Sequence, residues 1–431
     1  MLAAVGWLAP LGSSALAATL CVDQKPHSAC AFNTINAAVS NAAPGDTVKV
    51  MAGRYQEDVH ITKPLSLIGA GAANTIIDAA SQSNGVFIDG NINGTPGNNT
   101  LTDVTVSGFT VENANLEGIL IANASYVTVW HNSIIGNDRS LANGTCPGAP
   151  AFETNEAFDC GEGIHLTGVD HSTIAANDVE RNAGGILVSD ETGPTHDNLI
   201  AGNKVANNPY DCGITLASHD PYGLPSSPPS PAWGVFRNTI AENDSSNNGH
   251  VTGDGAGVGL FAPGPKKATY GNVVIGNRLT GNSLPGVAMH SHAPSQNLND
   301  NVITANYIAG NGGDTDVESS PVQTGISLLA VSPNSGTVIT RNTIKDEATD
   351  IAINLANNGN TTVDVHLNNL IGDSTGIANL AAGSINGTMN WWGCANGPSS
   401  PGCSTVEGNV TTFPFLEVPL AAQQGNGLAG G

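Results

Sequence analysis

Two short patterns recur along most of this chain of 431 residues. The first reads Asn, any residue, Ile, Val or Leu, two further residues and Asn. Its copies are Asn132–Asn137, Asn177–Asn182, Asn203–Asn208, Asn238–Asn243, Asn277–Asn282 and Asn306–Asn311, with a degenerate copy at Asn342–Glu347. The second reads Gly, Ile or Val, any residue and an apolar residue, and it begins at Gly118, Gly163, Gly185, Gly213, Gly257, Gly286 and Gly325. Such self-similarity is the signature of a solenoid, in which each repeat covers the apolar face of its neighbour.

The second pattern alternates between apolar and other residues with a period of two. Ile164 and Leu166 therefore point to one side of an extended segment, and His165 points to the other. This pattern predicts short strands that stack in parallel and bury one face. The repeated asparagines predict ladders in which side-chain amides bond to one another and to the backbone, so we interpret them as structural.

Composition favours the same all-β interpretation and limits the possible partners. Charged residues make up 11% of the chain and aromatic residues 5%, while glycine occurs 53 times, which suits tight turns better than amphipathic helices. The formal charge of -23, with only 13 Lys and Arg, argues against binding to nucleic acid. The same charge repels a polyanionic glycan unless a cation intervenes.

Three segments resemble the right-handed parallel β-helix proteins of the pectate-lyase-like superfamily. APGDTVKVMAGRYQEDVHITKPLSLIGAG, from Ala43, is similar to the first coils of such proteins, and FNTINAAVSNA, from Phe32, to their helical N-terminal cap. NWWGCANGPSSPGC, from Asn390, resembles a closing segment. The resemblance implies one solenoid domain over 18–420, with a cap at 32–42, a closing segment at 390–420 and a flexible tail at 421–431. This superfamily includes lyases, hydrolases, esterases, epimerases, metal-delivery proteins and adhesins, so the fold alone does not fix the function.

The N-terminus and the cysteines predict export. Residues 1–17 are apolar and end in Ala15-Leu16-Ala17, which is typical of a signal peptide, although a basic segment is missing. We therefore expect a secreted or periplasmic protein without a membrane span. Cysteines that lie close together in the chain can form disulfides in an oxidising compartment: Cys21 with Cys30, Cys146 with Cys160, and Cys394 with Cys403. The remaining Cys212 is interpreted as a small buried residue.

Three insertions flank the strands that begin with the second pattern. They cover Asp138–Cys160, Ser218–Trp233 and Gly312–Thr324. Insertions on one side of a solenoid often build its binding face, so these segments predict a groove over the outward side of the strands. One outward position in each strand forms a row: Leu120, His165, Leu187, Thr215, Gly259, Ala288 and Ser327.

Chemically capable residues follow the same strands. They are Ser189, Asp190 and Glu191 in one coil, Ser218, His219 and Asp220 in the next, and His290, Ser291 and His292 two coils further along. Coils stack about 4.8 Å apart, so Asp190 and His219 can be neighbours. In this arrangement His219 can act as a base, Asp220 or Asp190 can orient it, and Tyr222 can donate a proton. His165 completes the catalytic candidates, and Glu191, Thr215, His290 and His292 are candidates for substrate binding.

This cluster predicts a lyase or epimerase that acts on a uronate-containing polysaccharide. The substrate carboxylate needs a neutraliser, for which a calcium ion held by Asp190, Glu191 and Asp220 is a candidate. Mannuronan epimerases of this fold carry an Asp-Pro-His-Asp motif, whereas this chain reads His219-Asp220-Pro221-Tyr222, so no catalytic role is transferred.

Three alternatives remain open. Asp190 and Asp220 can instead act as the acid and the base of a glycoside hydrolase. The solenoid can instead be a non-catalytic surface, matrix or glycan-binding protein. His290 and His292 can also chelate copper or zinc, because both point to one side of an extended segment.

Overall fold

The computed structural model describes residues 17–90, 100–150, 152–153, 157–158, 161–219, 233–314, 322–355, 362–372, 374–381 and 383–421. Within these ranges the chain winds through three long parallel sheets, one strand of each per coil. The predicted all-β, right-handed parallel β-helix is confirmed.

The strands of the described residues are grouped here by sheet, in the order in which they pair. The first sheet contains Thr19–Val22, Asp46–Val50, Leu65–Gly69, Val104–Ser107, Thr128–Trp130, Thr173–Ala175, Leu199–Ala201, Thr239–Ala241, Val273–Ile275, Val302–Thr304, Thr337–Thr340, Val363–His366, Ile385–Asn386 and Val410–Thr411. The second contains Gly53–Tyr55, Thr75–Asp78, Thr110–Glu112, Ser133–Ile135, Asp178–Glu180, Lys204–Ala206, Asp244–Ser246, Arg278–Thr280, Tyr307–Ala309, Thr343–Lys345 and Asn369–Ile371. The third contains Val59–Ile61, Val86–Asp89, Ile119–Ala122, Glu162–Thr167, Gly184–Ser189, Ile214–Ala217, Val258–Ala262, Val287–Ser291, Thr324–Ala330, Thr349–Leu355, Thr375–Asn379 and Thr405–Glu407. Shorter pairings join Leu101–Thr102 to Ala124–Ser125, and Thr195–His196 to Val235–Phe236 and Thr269–Tyr270.

The second sequence pattern forms the third sheet. Ile164 pairs with Ile186, and Ile186 with Ile214, so that these side chains stack in the core. The alternate positions stack on the outer side of the same sheet, where Leu120 pairs with His165 and His165 with Leu187. The repeat thus fixes the register, because a slip of one residue would turn the apolar side chains outward.

Among the described residues, asparagines form three ladders at the corners of the coils. One runs from Asn132 through Asn177, Asn203, Asn243, Asn277, Asn306, Asn342 and Asn368 to Asn390. Another runs from Asn137 through Asn182, Asn208, Asn248, Asn282 and Asn311 to Glu347. The third runs from Asn198 through Asn238 and Asn272 to Asn301. The same motif therefore occurs at different corners. Asn238 and Asn243 belong to the third and first ladders, whereas Asn203 and Asn208 belong to the first and second.

Segments near both ends of the described chain contribute buried side chains. Helix Ile35–Asn41 begins after Thr34, whose side chain caps it, and buries Ile35, Ala38 and Val39. At the other end, Trp392 is fully buried. Residues 1–16 of the predicted signal peptide and 422–431 of the predicted tail lie outside the described residues.

Two of the predicted disulfides are formed, Cys21–Cys30 and Cys394–Cys403. Cys146 also takes part in a disulfide, whereas its predicted partner Cys160 lies outside the described residues. Cys212 is a buried free cysteine, as expected. Among the helices of the described residues, none has the length and hydrophobicity that crossing a membrane requires.

Candidate functional site

The outward row of the third sheet has the predicted register. His165 pairs with Leu187, Leu187 with Thr215, and Thr215 with Gly259. However, these residues do not face an open surface, because His165 is 0% and Thr215 5% exposed. The row is thus buried where the sequence predicts the floor of a groove.

His165 is surrounded by carboxyl groups on both sides of its ring. Its Nε2 lies 2.9 Å from Ser189 Oγ and 3.2 Å from Glu191 Oε2. Its Nδ1 lies 3.4 Å from Glu153 Oε2 and 3.7 Å from Glu117 Oε1. Ser189 Oγ donates a hydrogen bond of 2.7 Å to Glu191 Oε2, which fixes this carboxylate beside the imidazole.

Sequence reasoning missed Glu117 and Glu153. Glu117 precedes the pattern that begins at Gly118, and Glu162 precedes the next copy, so an acid at one repeat position in two successive coils was an available signal. Glu153 lies in the insertion Asp138–Cys160, where no repeat indicates its position. Both Glu117 and Glu153 are completely buried.

Burial and mutual repulsion strongly change the protonation of this group. Burial, together with the charge of Glu117, raises the pKa of Glu153 well above its usual range. The same two causes raise the pKa of Asp138 to about 9. Burial would lower the pKa of His165, but the charge of Glu153 and the other adjacent carboxylates outweigh it and raise this pKa. Burial likewise opposes ionisation of Glu191, but the hydrogen bond from His165 outweighs it and lowers the pKa of Glu191.

A second group, which we call the strand-end cluster, consists of Asp190, Glu191, Ser218, His219 and Lys267. Ser218 Oγ donates a hydrogen bond of 2.8 Å to Asp190 Oδ2, which joins two successive coils. Lys267 Nζ donates a hydrogen bond of 2.9 Å to the carbonyl oxygen of His219, and its side chain is buried. Burial raises the pKa of Asp190 to about 6, although the charges of Lys267 and His219 and the bond from Ser218 act in the opposite direction.

The predicted neighbourhood of Asp190 and His219 is therefore present, and Lys267 adds a buried cation that sequence reasoning missed. Asp220 and Tyr222 lie outside the described residues, so their predicted catalytic roles and the calcium site that includes Asp220 stay predictions. Glu191 is held by Ser189 and His165, and Asp190 by Ser218.

Two coils beyond the strand-end cluster, His290 is tied into a separate buried network. Its Nε2 lies 2.5 Å from Asp314 Oδ2, and Ser327 Oγ donates a hydrogen bond of 2.9 Å to the same oxygen. The exposed ring of His292 lies edge-on to His290, with 5.4 Å between the ring centroids. The two imidazoles predicted as a chelating pair thus lie in different environments.

The sequence of this chain matches one known protein family. A family model described as periplasmic copper-binding protein (NosD) matches residues 39–255, half of the chain. No match was found among curated proteins.

Several solved structures are similar in fold. The Dettilon tailspike protein gp208 is 14% identical, with a TM-score of 0.50 over 86% of this chain and 62% of that chain. The A-module of mannuronan C-5 epimerase AlgE4 from Azotobacter vinelandii is 17% identical, with a TM-score of 0.49 over 79% of this chain and 88% of that chain. The alginate lyase AlyF-OU02, in complex with G6, is 13% identical, with a TM-score of 0.48 over 91% and 86%. At such identities the likeness extends to the fold alone.

Proposed function

We propose that this chain, which belongs to the NosD family of periplasmic copper-binding proteins, works outside the cytoplasm, as the family's description supports. We further propose, from the side chains of the strand-end cluster, that it acts there on a uronate-containing polysaccharide. The disulfides Cys21–Cys30 and Cys394–Cys403 support the compartment, since such bonds persist in oxidising surroundings. The proposed reaction is that of a lyase or an epimerase.

The observation that carries this proposal is the strand-end cluster. Two carboxyl groups on one strand end, Asp190 and Glu191, are held by different hydrogen-bond donors, with His219 on the next coil and the buried cation of Lys267 alongside. General acid–base catalysis needs groups of these types in positions fixed by their neighbours. Asp190, whose pKa is raised to about 6, can both hold and release a proton close to neutral pH.

Each group has a role in the proposed chemistry. Lyases and epimerases first remove the proton from C5 of the uronate, and His219 is the proposed base for this step. The carboxylate beside C5 gathers negative charge as the proton leaves, which the charge of Lys267 would stabilise. Asp190 would return a proton, either to the leaving oxygen in a lyase or to the opposite face of C5 in an epimerase.

The proposal is tested by screening the full chain against alginate, pectate, glucuronan and neutral glycans, with and without calcium. Absorbance of unsaturated uronates would identify a lyase, and deuterium uptake at C5 without chain cleavage would identify an epimerase. We expect His219→Ala and Asp190→Asn to abolish the product. Asp350→Asn is the matched control, because Asp350 is a buried carboxyl group that accepts a bond from Ser374 and lies outside the cluster.

Other outcomes of the same screen would indicate a different function. New reducing ends without unsaturated products would indicate a glycoside hydrolase that uses paired carboxyl groups. Binding without turnover would indicate a glycan-binding solenoid. No binding and no product on any glycan, from wild type that is folded, would refute the proposal.

Copper in its reduced state, copper(I), does not fit the residues brought together here. Copper(I) prefers thiolate and thioether ligands. Among the described residues, the one group of three His, Cys, Asp or Glu side chains with converging ligand atoms contains two glutamates and one histidine and no cysteine. The proposed chemistry therefore involves no copper(I) ion.

A further inference from the structure

We propose that Glu117, Glu153 and His165 form a buried binding site for a divalent metal ion of the zinc class. One ligand atom from each of the three side chains lies within 4.8 Å of the other two. This inference does not depend on whether the protein acts on a glycan.

The distances from His165 Nδ1 to the two carboxylate oxygens are close to those between ligands of one metal ion. His165 Nδ1 lies 3.4 Å from Glu153 Oε2 and 3.7 Å from Glu117 Oε1, both longer than a normal hydrogen bond. Zinc binds nitrogen and carboxylate oxygen at about 2.0–2.2 Å, so the edges of a tetrahedral site are roughly 3.3–3.6 Å long. The two distances from His165 Nδ1 are thus close to the edges of such a site, and the two carboxylate oxygens lie within 4.8 Å of each other.

The same atoms lack other partners. Both oxygens of Glu117, both oxygens of Glu153 and Nδ1 of His165 are buried without a hydrogen bond. No Lys or Arg of the described residues forms an ion pair with either glutamate. A buried carboxyl group is costly to ionise unless a cation lies beside it, and one divalent ion would compensate the negative charges of two ionised carboxylates at once.

The far side of the imidazole is arranged as metal sites require. A histidine that binds a metal through Nδ1 carries its proton on Nε2 and usually donates it to a carboxylate or another acceptor. Nε2 of His165 faces Glu191 Oε2 at 3.2 Å and Ser189 Oγ at 2.9 Å, and Ser189 holds Glu191 in place. Glu191 is therefore a positioning residue for the proposed site, independent of the three ligands.

The donor set selects the kind of ion. One imidazole and two carboxylates suit zinc or manganese, and they lack the sulfur ligands that copper(I) prefers. A three-residue set also leaves a coordination position for water or another ligand. The site thus differs in chemistry from a copper(I) site.

The test uses the full chain without a histidine tag, freed of metal by unfolding with a chelator and refolded with or without Zn2+. We expect about one zinc per chain and a higher unfolding temperature with zinc, because the ion binds only the folded state. Glu153→Gln and Glu117→Gln should each abolish the zinc-dependent shift. Glu191→Gln should weaken zinc binding about 10- to 100-fold, as expected for a residue that orients a ligand.

Asp350→Asn serves as the control, since it removes a buried carboxyl group elsewhere and should bind zinc like the wild type. The proposal would be overturned if zinc raised the unfolding temperature of the wild type no more than that of Glu153→Gln. It would also be overturned if Asp350→Asn lost zinc binding as fully as the glutamate variants. If the glutamate variants fail to fold, the visible absorption spectrum of Co2+ added to the metal-free wild-type chain tests the site instead. An intense visible spectrum indicates low-coordinate binding to protein ligands, and a weak spectrum like that of the hydrated ion contradicts it.

Discussion

The asparagine ladders and the carboxyl groups around His165 bury the same kind of polar atoms in opposite ways. Asn203 accepts from the backbone and side chain of Asn177 and donates to Ile174 and Asn243, so every polar atom of its amide is used. Around His165, by contrast, the oxygens of Glu117 and Glu153 are buried without donors.

The contrast separates what builds the solenoid from what it can carry. An amide offers donors and acceptors at once, so identical residues can satisfy one another from coil to coil without a net charge. Carboxylates offer only acceptors, so a group of them stays unsatisfied unless a proton or a cation joins it. We therefore assign stability to the ladders and a ligand to the carboxyl groups.

The largest effect is expected from breaking a ladder in its middle. Asn203→Ala removes four hydrogen bonds and leaves buried partners on both neighbouring coils, which should lower the free energy of unfolding by about 4 kcal/mol. Denaturant unfolding of the full chain measures this loss. Lys49→Ala, at an exposed position of the first sheet, should change stability by less than about 0.5 kcal/mol. An equal decrease in the free energy of unfolding in both variants would mean that the ladder hydrogen bonds do not stabilise the fold.

Removing the metal should have the next largest effect. At a free zinc concentration of about 100 times the dissociation constant, a chelator should cost the wild type about 3 kcal/mol. The Asn203→Ala variant should lose the same amount, because distant and independent sites contribute additively. Unfolding curves of both proteins with and without chelator check this, and a loss confined to one of them would mean that ladder and metal site are coupled.

The end of one ladder allows a pH-dependent test. Glu347 takes the place of an asparagine and accepts bonds from the backbone and side-chain nitrogens of Asn311, while burial raises its pKa from 4.5 to about 7. Because the folded-state pKa is raised, its contribution to stability is complete below about pH 4.5 and is lost as the pH rises to about 7. Glu347→Gln should therefore be more stable than the wild type by about 3 kcal/mol well above pH 7 and equal to it near pH 4. Thermal unfolding across this range measures the difference, and an advantage that did not change with pH would contradict the ionisation of Glu347.

The repeated part of the molecule could be predicted from the sequence, and the inserted part could not. Aligning the repeats predicts that His165 stacks on Leu120 and Leu187, because every coil has the same strand register. Glu153 could not be located, since its insertion has no counterpart in other coils. The burial of the outward row was missed for a related reason, because the pattern of a strand does not indicate what lies over its outer face. The buried charge of Lys267 was also missed, as nothing in the repeat distinguishes it.

The smallest effect is expected at the hydrogen bond between two coils of the strand-end cluster. The bond from Ser218 lowers the pKa of Asp190 against the effect of burial, so Ser218→Ala should raise this pKa above its value of about 6. Since the bond favours the ionised carboxylate, its loss should cost about 1 kcal/mol of stability at pH 8 and less at pH 4. Any glycan activity that depends on Asp190 should move to higher pH by less than about one unit. Rate–pH profiles of the variant and wild type, with Asp350→Asn as control, measure the shift. A profile that stays in place would mean that Asp190 does not take part in proton transfer, and the strand-end cluster would then resemble the ladders as a purely structural network.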